Sequence, residues 1–257
     1  MARTRIYTLV NQKGGVGKTT TAINLGSYLA KHGQRILIVD IDPQCNATSC
    51  LGIDKREVEK SSYQALLGGD APKSLILKNE RLNLSLLPSS PELAGAEVEL
   101  VEESRRNTRL KSALEPLQDS YDYILLDCPP SLGLLTINGL MAAQDGVIIP
   151  VQCEYLALEG LGQLTQTIQQ VRSALFPDLH VRGVVLTMFD KRTNLANDVV
   201  AEVNNHFPEL VFDAIIPRSI RLAEAPSYGL PISEYAPSSA GAKAYDALAK
   251  EILAQDA

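Results

Sequence analysis

A short segment near the start of the chain combines three glycines with two lysines, and residues 13–20 read KGGVGKTT. Glycines at this spacing let the backbone curl so that successive N–H groups point into one concavity, which suits a phosphate group. An apolar run precedes the segment and an amphipathic run follows it, as in the strand–loop–helix context of a phosphate-binding loop. The helix also directs the positive end of its dipole at this point. The sequence therefore predicts a nucleotide phosphate site here.

Individual side chains of this loop have expected roles. Lys18 is expected to reach the β- and γ-phosphates, and the Thr19 hydroxyl to hold Mg²⁺. The predicted nucleotide-binding residues of the loop are Lys13, Gly14, Gly15, Val16, Gly17, Lys18, Thr19 and Thr20. The usual loop starts with glycine at position 12, whereas this chain has Gln12 there and adds a second lysine, Lys13. A lysine at the outer lip of the loop is placed to meet a phosphate bound by another subunit.

Two further apolar runs end in carboxylates. Asp40 and Asp42 follow the first run, and because they are two residues apart in extended chain they point the same way. Asp42, which lies farther out, is expected to orient an attacking water, and Asp40 to brace the loop lysine or the water shell of the metal. Asp127 ends the second run and is expected to contact Mg²⁺ directly or through water; a helix cap or turn is the alternative role for each carboxylate. The predicted catalytic residues are thus Lys13, Lys18 and Asp42, and the predicted metal ligands are Thr19 and Asp127.

Strand-like and helix-like patterns alternate along the chain. Strands are predicted over 6–10, 35–40, 82–87, 123–127, 146–151, 181–188 and 210–216. Helices are predicted over 18–32, 92–118, 133–143, 157–175, 194–207 and 238–255. Strands that are nearly all apolar are covered on both faces, which favours an α/β fold with a mostly parallel sheet flanked by helices on both faces. No linker divides residues 1–257, so we expect a single-domain P-loop NTPase with its ligands at the carboxyl ends of the strands.

Composition restricts the function classes. The chain has 257 residues, of which 45% are hydrophobic, and a formal net charge of −6. Such a chain can bury one large core, and its mild acidity gives no indication of affinity for a polyanion. Because no signal-peptide pattern precedes the first strand and no apolar run approaches about 18 residues, we expect a cytoplasmic protein. The four cysteines are scattered without close pairs and are expected to be free thiols.

Several motifs resemble those of the ParA/Soj chromosome-partitioning ATPases, which belong to the deviant Walker ATPases together with MinD and the nitrogenase iron protein. The resemblance spans residue 5 to about residue 250 of this sequence. The matching segments are NQKGGVGKTTTAINL at 11–25, VDIDPQ at 39–44, DCPPSLG at 127–133, PVQCEY at 150–155, and 216–227 with IPR and EAPS at its ends. One departure is Cys45, where the family usually has glycine.

The resemblance implies an ATP-operated switch with ATP and Mg²⁺ as cofactors. Two subunits would close around two ATP molecules, with Lys13 of each completing the site of the other. The homodimer would bind DNA without regard to sequence, and a ParB/Spo0J-type centromere-binding partner would trigger hydrolysis and release. Pro217 and Arg218 would flank the adenine. The first strand begins at once, so we expect no N-terminal DNA-reading extension, and we expect the protein to be cytoplasmic and associated with the nucleoid.

The position of the DNA-binding surface is the least determined feature. Arg192 and Arg221 are the favoured candidates, although any single exposed arginine is more often a solvated surface charge.

Two other functions stay open. A MinD-like membrane-cycling ATPase would need a terminal amphipathic helix with a bulky apolar face, and residues 247–257 are small and nearly charge-balanced, so no membrane binding is expected. A metabolic P-loop enzyme or metallocluster carrier would need a substrate domain or clustered cysteines.

Overall fold

One sheet organises the computed structural model, which describes residues 3–68, 70–155 and 157–257. Seven strands pair in the order β3-β4-β2-β5-β1-β6-β7. They are β1 (Arg5–Leu9), β2 (Ile36–Asp40), β3 (Leu77–Asn79), β4 (Leu84–Leu87), β5 (Tyr123–Asp127), β6 (Val147–Gln152) and β7 (Val181–Thr187). Only the edge strand β3 is antiparallel to its neighbour, so the predicted mostly parallel sheet is confirmed.

Helices connect the strands in sequence order. The α-helices of the described residues are α1 (Lys18–Lys31), α2 (Asn46–Cys50), α3 (Ser62–Leu67), α4 (Leu93–Glu99), α5 (Arg109–Leu114), α6 (Leu134–Ala142), α7 (Ala157–Ala174), α8 (Asn194–His206), α9 (Ile220–Glu224), α10 (Ile232–Tyr235) and α11 (Ala240–Asp256). Short 3₁₀ helices cover Pro72–Leu75, Leu100–Glu102, Glu115–Ser120 and Ala225–Tyr228. None of the helices in the three described ranges is long and apolar enough to cross a membrane.

The two faces of the sheet bury different apolar clusters. In β2, Ile36 and Ile38 belong to the cluster that contains α1 and α11, whereas Leu37 and Val39 belong to the cluster that contains α4, α5 and α6. This alternation follows from the two-residue period of side chains along a strand. Both faces are therefore covered by helices, as the apolar runs predict.

The strand predicted over 210–216 is wrong. This segment follows the outer edge of β7 and meets it at two isolated bridges, Val184 with Val211 and Phe189 with Pro217. The amide of Ile216 also donates to the carbonyl of Leu186 at 2.8 Å, but no regular ladder forms. Between the bridges, the amides of Asp213 and Ala214 donate to the carboxylate of Glu251 in α11, at 2.9 and 3.1 Å. Because those amides bind a side chain, they form no ladder with β7.

The single helix predicted over 92–118 is also wrong, since the chain breaks between α4 and α5. Arg105 has a φ of 57°, which no helix residue adopts. Asn138 of α6 holds this turn, because its Nδ2 donates to the carbonyl of Arg106 at 2.7 Å and its Oδ1 accepts from the amide of Leu110 at 3.1 Å. A distant side chain thus overrides the helical periodicity of this segment.

The end of α11 is fixed to the sheet by a buried polar cluster. The carboxylate of Asp256 accepts from the hydroxyls of Tyr7 and Tyr123, at 2.8 and 3.1 Å, and pairs with Arg182 at 3.1 Å. Burial, the largest cause, raises the pKa of the Tyr7 hydroxyl, so this group stays a neutral donor. The helix on which a membrane-binding role would depend is therefore held to the sheet at its C-terminal end.

Removal of this carboxylate is expected to destabilise the protein. Asp256→Ala leaves Arg182 and two tyrosine hydroxyls without their acceptor, so we expect the free energy of unfolding to fall by about 2–4 kcal/mol. Asp246→Ala is the control, because Asp246 forms exposed pairs with His32 and Lys250, whose loss costs at most about 1 kcal/mol. Urea titration measures both variants, and equal losses would contradict a stabilising role for this cluster.

Candidate nucleotide-binding site

Three neighbouring central strands bring the predicted site residues together at their carboxyl ends. Leu9 of β1 lies opposite Asp127 of β5, and Asp127 lies opposite Asp40 of β2. The glycine-rich loop leaves β1 and Asp42 leaves β2 at these same ends. The parallel register therefore assembles the loop and the three carboxylates, as expected for the carboxyl ends of parallel strands.

The glycine-rich loop has the conformation of a cradle. Gly15 and Gly17 have φ values of 75° and 93°, in the left-handed region that favours glycine, and α1 begins at the next residue, Lys18. A Cβ atom placed on Gly14 or Gly15 would meet no other atom within 4 Å, so the space beside these two glycines is open. The loop runs directly into the N-terminus of α1, which is where an anion is stabilised.

Two side chains outside the loop support it, and neither was predicted. The Thr187 hydroxyl at the end of β7 donates to the carbonyl of Val16 at 2.8 Å. Asn11 accepts from the amide of Lys13 at 3.0 Å and donates to the carbonyl of Pro150 at 2.8 Å. Asn11 lies within the matched motif, but Thr187 is separated from Val16 by 171 residues of sequence and carries no local signal.

Lys18 lies inside the cradle rather than in solvent. Its side chain is largely buried, and the residue is 7% exposed. Its Nζ donates to the carbonyl of Lys13 at 3.1 Å, so the ammonium group spans the loop from within. Burial lowers the pKa of Lys18, while the nearby Asp127 and Asp42 act in the opposite direction. The site thus holds a desolvated cation where a triphosphate tail would lie.

Thr19 and Asp127 form a pair suited to a divalent cation. The Thr19 hydroxyl donates to Oδ2 of Asp127 at 2.7 Å. The second oxygen of Asp127, Oδ1, is buried and has no hydrogen-bond partner. A buried, unpartnered carboxylate oxygen beside a threonine hydroxyl is a ligand set that fits Mg²⁺, which prefers hard oxygen donors. Burial, with Asp40 as the next cause, raises the pKa of Asp127 well above its usual range.

Asp40 and Asp42 differ in their surroundings. Asp42 is close enough to Lys18 and Asp127 to influence their pKa values, and its Oδ1 accepts from the amide of Gln44 at 2.9 Å. The expected bracing role of Asp40 toward the loop lysine is not seen. Its oxygens instead accept from Thr48 and from the amide of Asp42, so Asp40 holds its own loop.

Lys13 stands at the start of the loop, directly before its three glycines. Its ammonium group forms an ion pair with Glu154, which follows β6 on the same chain. Both side chains are partly exposed, at 39% and 33%. The partly exposed pair leaves the ammonium group of Lys13 accessible to a second molecule. Glu154 lies in a matched motif, but sequence reasoning gave it no role.

A cavity adjoins the loop on the side of α9. It has a volume of about 290 Å³ and reaches from Gly17 and Thr20 to Pro217 and Arg218. Apolar groups of Ile216 and Leu222 also line it. The structure therefore brings the two residues predicted for the adenine next to the phosphate cradle, with apolar surface suited to a flat base.

The two arginines predicted for DNA lie near these carboxyl ends of the strands. Arg192 is 81% exposed and pairs with Asp190 at 2.6 Å, and Arg221 is 60% exposed and pairs with Glu224 at 2.9 Å. Each arginine therefore has an acidic neighbour that lowers the positive electrostatic potential around it. Their role in DNA binding stays a prediction.

The substitution Asp127→Asn is expected to preserve or raise the thermal stability of the protein while it removes stabilisation by Mg²⁺. A buried carboxyl whose pKa is raised destabilises the folded state at any pH above its unfolded pKa of about 3.8, and most fully above its folded pKa. Asp127→Asn removes that cost, so at pH 8 we expect the nucleotide-free variant to unfold at the same or a higher temperature. Thermal unfolding with and without Mg²⁺ and ATP checks this. We expect Mg²⁺ to stabilise only the parent, and equal stabilisation of both proteins would contradict the assignment.

Comparisons with known proteins agree with this geometry. A family model described as an AAA domain matches residues 4–181. The chain is 54% identical to the sporulation initiation inhibitor protein Soj of Bacillus subtilis, over 97% of this chain and 98% of that protein. It is 52% identical to the chromosome partitioning protein ParA of Myxococcus xanthus, over 98% and 89% of the two chains.

A solved structure shares the fold over nearly the whole chain. It is described as cobyrinic acid a,c-diamide synthase from Mycobacterium smegmatis with bound ATP analog and magnesium, and it matches with a TM-score of 0.85 and 39% identity, over 97% of this chain and 94% of that one. The septum site-determining protein MinD of Pyrococcus horikoshii matches at 26% identity with a TM-score of 0.78, over 99% of each chain. Identity is thus about twice as high to Soj and ParA as to MinD, so the MinD-like alternative is not favoured. The chain belongs to the Soj/ParA family of chromosome-partitioning ATPases.

Proposed function

We propose that this protein partitions DNA by an ATP-dependent cycle of dimerisation. ATP and Mg²⁺ occupy the cradle, two subunits close face to face, and the dimer binds DNA without sequence preference. A centromere-binding partner of the ParB/Spo0J type then stimulates hydrolysis, and the dimer separates. The protein would act in the cytoplasm, associated with the nucleoid.

The observation that carries this proposal is the arrangement of the two loop lysines. Lys18 is buried within the cradle of its own subunit, whereas Lys13 stands at the start of the loop with its ammonium group partly exposed. One subunit therefore has a buried cation for its own triphosphate and a second cation that is partly exposed. If the partner subunit supplies its own Lys13 in return, each nucleotide is held from both sides, and only the closed dimer satisfies the γ-phosphate fully.

The remaining residues have roles that follow from their positions. Thr19 and Asp127 would hold Mg²⁺, which neutralises charge on the β- and γ-phosphates when it is bound. Gly14, Gly15, Val16, Gly17 and Thr20 would bind phosphate oxygens through their amides, and Pro217 and Arg218 would flank the base. Asp42 would accept a hydrogen bond from the attacking water and orient it toward the γ-phosphorus. Loss of the γ-phosphate removes the contact that joins the two subunits.

DNA binding is the property that tests this function most simply. DNA retention by the parent protein is expected to require ATP and to fall steeply with salt concentration, because phosphate contacts release counterions. We expect Arg192→Ala and Arg221→Ala each to weaken binding and to reduce the salt slope by about 1. A DNA-coated sensor surface with unrelated sequences measures this.

Arg35→Ala is the matched control for these variants. Arg35 is also exposed and ion-paired, with Asp122 at 2.7 Å. It precedes β2, however, and so lies at the amino-terminal ends of the strands, away from the site. We expect its removal to leave DNA retention unchanged. Equal retention with ATP and ADP would overturn the proposed cycle, whereas an unchanged slope for both arginine variants would only move the DNA surface elsewhere.

The MinD-like membrane cycle is not favoured. A membrane-cycling ATPase needs a free amphipathic helix, yet the apolar side of α11, including Tyr245, Leu248 and Ile252, is buried in the core. Flotation with anionic vesicles in the presence of ATP separates the two functions. Recruitment to vesicles would favour the membrane cycle.

A further inference from the structure

The loop that carries Asp42 is held by a buried hydrogen-bond network that begins at Asp40. Asp40 is fully buried, and its Oδ1 accepts from the amide of Asp42 at 3.1 Å. Its Oδ2 accepts both from the amide of Thr48 at 2.8 Å and from the Thr48 hydroxyl at 2.7 Å. One carboxylate thus joins the beginning of the loop to α2.

The network continues to the neighbouring strand. The Thr48 hydroxyl, which donates to Asp40, accepts from the amide of Ser89 at 2.9 Å. The Ser89 hydroxyl donates to the carbonyl of Asp42 at 2.7 Å. Thr48 and Ser89 are both fully buried. The amide and the carbonyl of Asp42 are therefore each held by a different buried side chain.

The position of Ser89 is fixed independently of this loop. Val39 of β2 lies opposite Leu87 of β4, so the segments that leave the two strands run side by side. The amide of Ser62, at the start of α3, donates to the carbonyl of Pro88 at 2.8 Å. The Ser90 hydroxyl lies 3.0 Å from that of Ser61, the residue that caps α3. Ser89 thus projects from a rigid strand end toward the backbone of Asp42.

We infer that Thr48 and Ser89 are positioning residues for hydrolysis, acting through Asp42. This inference rests on the proposed role of Asp42 in orienting the attacking water. With its amide and carbonyl both fixed, Asp42 can place its carboxylate only by rotation about its side-chain bonds. A water at the γ-phosphate must be aligned closely for in-line attack, and a displacement of about 1 Å can cost about 100-fold in rate. Loosening the network is therefore expected to slow hydrolysis without weakening nucleotide binding.

Thr48→Val and Thr48→Ser form the decisive pair of variants. Valine has the shape of threonine without its hydroxyl, whereas serine keeps the hydroxyl and loses a methyl group. We expect Thr48→Val to lower kcat by about 10- to 100-fold while KM for ATP stays within about twofold. Thr48→Ser is expected to keep kcat within about threefold of the parent, and Ser89→Ala to resemble Thr48→Val. Steady-state hydrolysis over a range of ATP concentrations, with saturating DNA, measures kcat and KM, and thermal unfolding monitors the fold.

A double-mutant comparison separates this inference from the proposed function. If Thr48 acts through Asp42, adding Thr48→Val to Asp42→Ala causes no further loss of rate. Equal rates for Thr48→Val and Thr48→Ser, a loss confined to KM, or an additive loss in the double variant would each overturn the positioning role. In those cases the function of Asp42 itself would stand. An Asp42→Ala variant with the parental rate would overturn both.

Discussion

An Asp42→Ala variant is expected to form a dimer with ATP that persists for as long as ATP is present. Its hydrolysis rate is expected to fall by about 100-fold or more, which is the usual contribution of a residue that positions or accepts the proton of an attacking water. ATP binding should be preserved, because the phosphate cradle and the Thr19–Asp127 pair do not include Asp42. Size-exclusion chromatography with ATP and with ADP distinguishes the two states.

Asp42→Asn is the control for this prediction. Asparagine keeps an oxygen that can accept from the amide of Gln44, so the turn after β2 is preserved. Its other terminal group is an NH₂, which donates and cannot accept a hydrogen bond from the attacking water, so we expect the same trapped dimer and a similarly low rate. A variant at position 42 that hydrolyses ATP as fast as the parent, or that stays monomeric with ATP, would contradict the proposed role of Asp42.

Lys13→Ala is expected to abolish the ATP-dependent dimer. The loss of one charged partner at a buried interface costs about 2 kcal/mol or more, which corresponds to at least about 30-fold weaker association. A symmetric dimer loses this contact twice. Binding of ATP to the monomer should persist, because Lys18 supplies the cation of the same subunit. Analytical ultracentrifugation with a non-hydrolysable ATP analogue measures the association.

Three further variants test whether Lys13 completes the site of the partner subunit. Glu154→Gln removes the intramolecular partner of Lys13, so we expect dimers at about two- to fivefold lower protein concentration, as for an exposed pair. Gly14→Val adds a side chain where the chain itself has no atom within 4 Å, so the monomer should fold normally yet fail to dimerise. Lys31→Ala is the matched control, because Lys31 pairs with Glu234 at similar exposure on another surface. A normal dimer from Lys13→Ala would contradict the shared site.

The sequence was sufficient to predict the six parallel strands of the sheet and the residues that gather at their carboxyl ends. Apolar runs that end in Asp40 and Asp127 are local patterns, and parallel register then determines that these residues lie side by side. The glycine spacing of the phosphate loop likewise specifies its conformation within a few residues. The proximity of Lys18, Thr19, Asp42 and Asp127 is therefore predictable, while their catalytic roles stay predictions.

What could not be predicted depends on contacts between distant segments. Thr187 and Ser89 support loops that follow other strands. The residues next to them in the sequence do not indicate these contacts. The break between α4 and α5 depends on Asn138, and the missing strand ladder over 210–216 depends on Glu251. Periodicity reports which face of a segment is buried, but it does not report which side chain competes for the backbone of that segment.

The shared phosphate site is tested most directly by a crystal structure with a non-hydrolysable ATP analogue and Mg²⁺. We predict a two-fold symmetric dimer in which the ammonium group of Lys13 leaves Glu154 and contacts the triphosphate bound by the other subunit. A nucleotide-bound structure in which Lys13 still pairs with Glu154 of its own chain, with no second subunit at the nucleotide, would contradict the proposed switch.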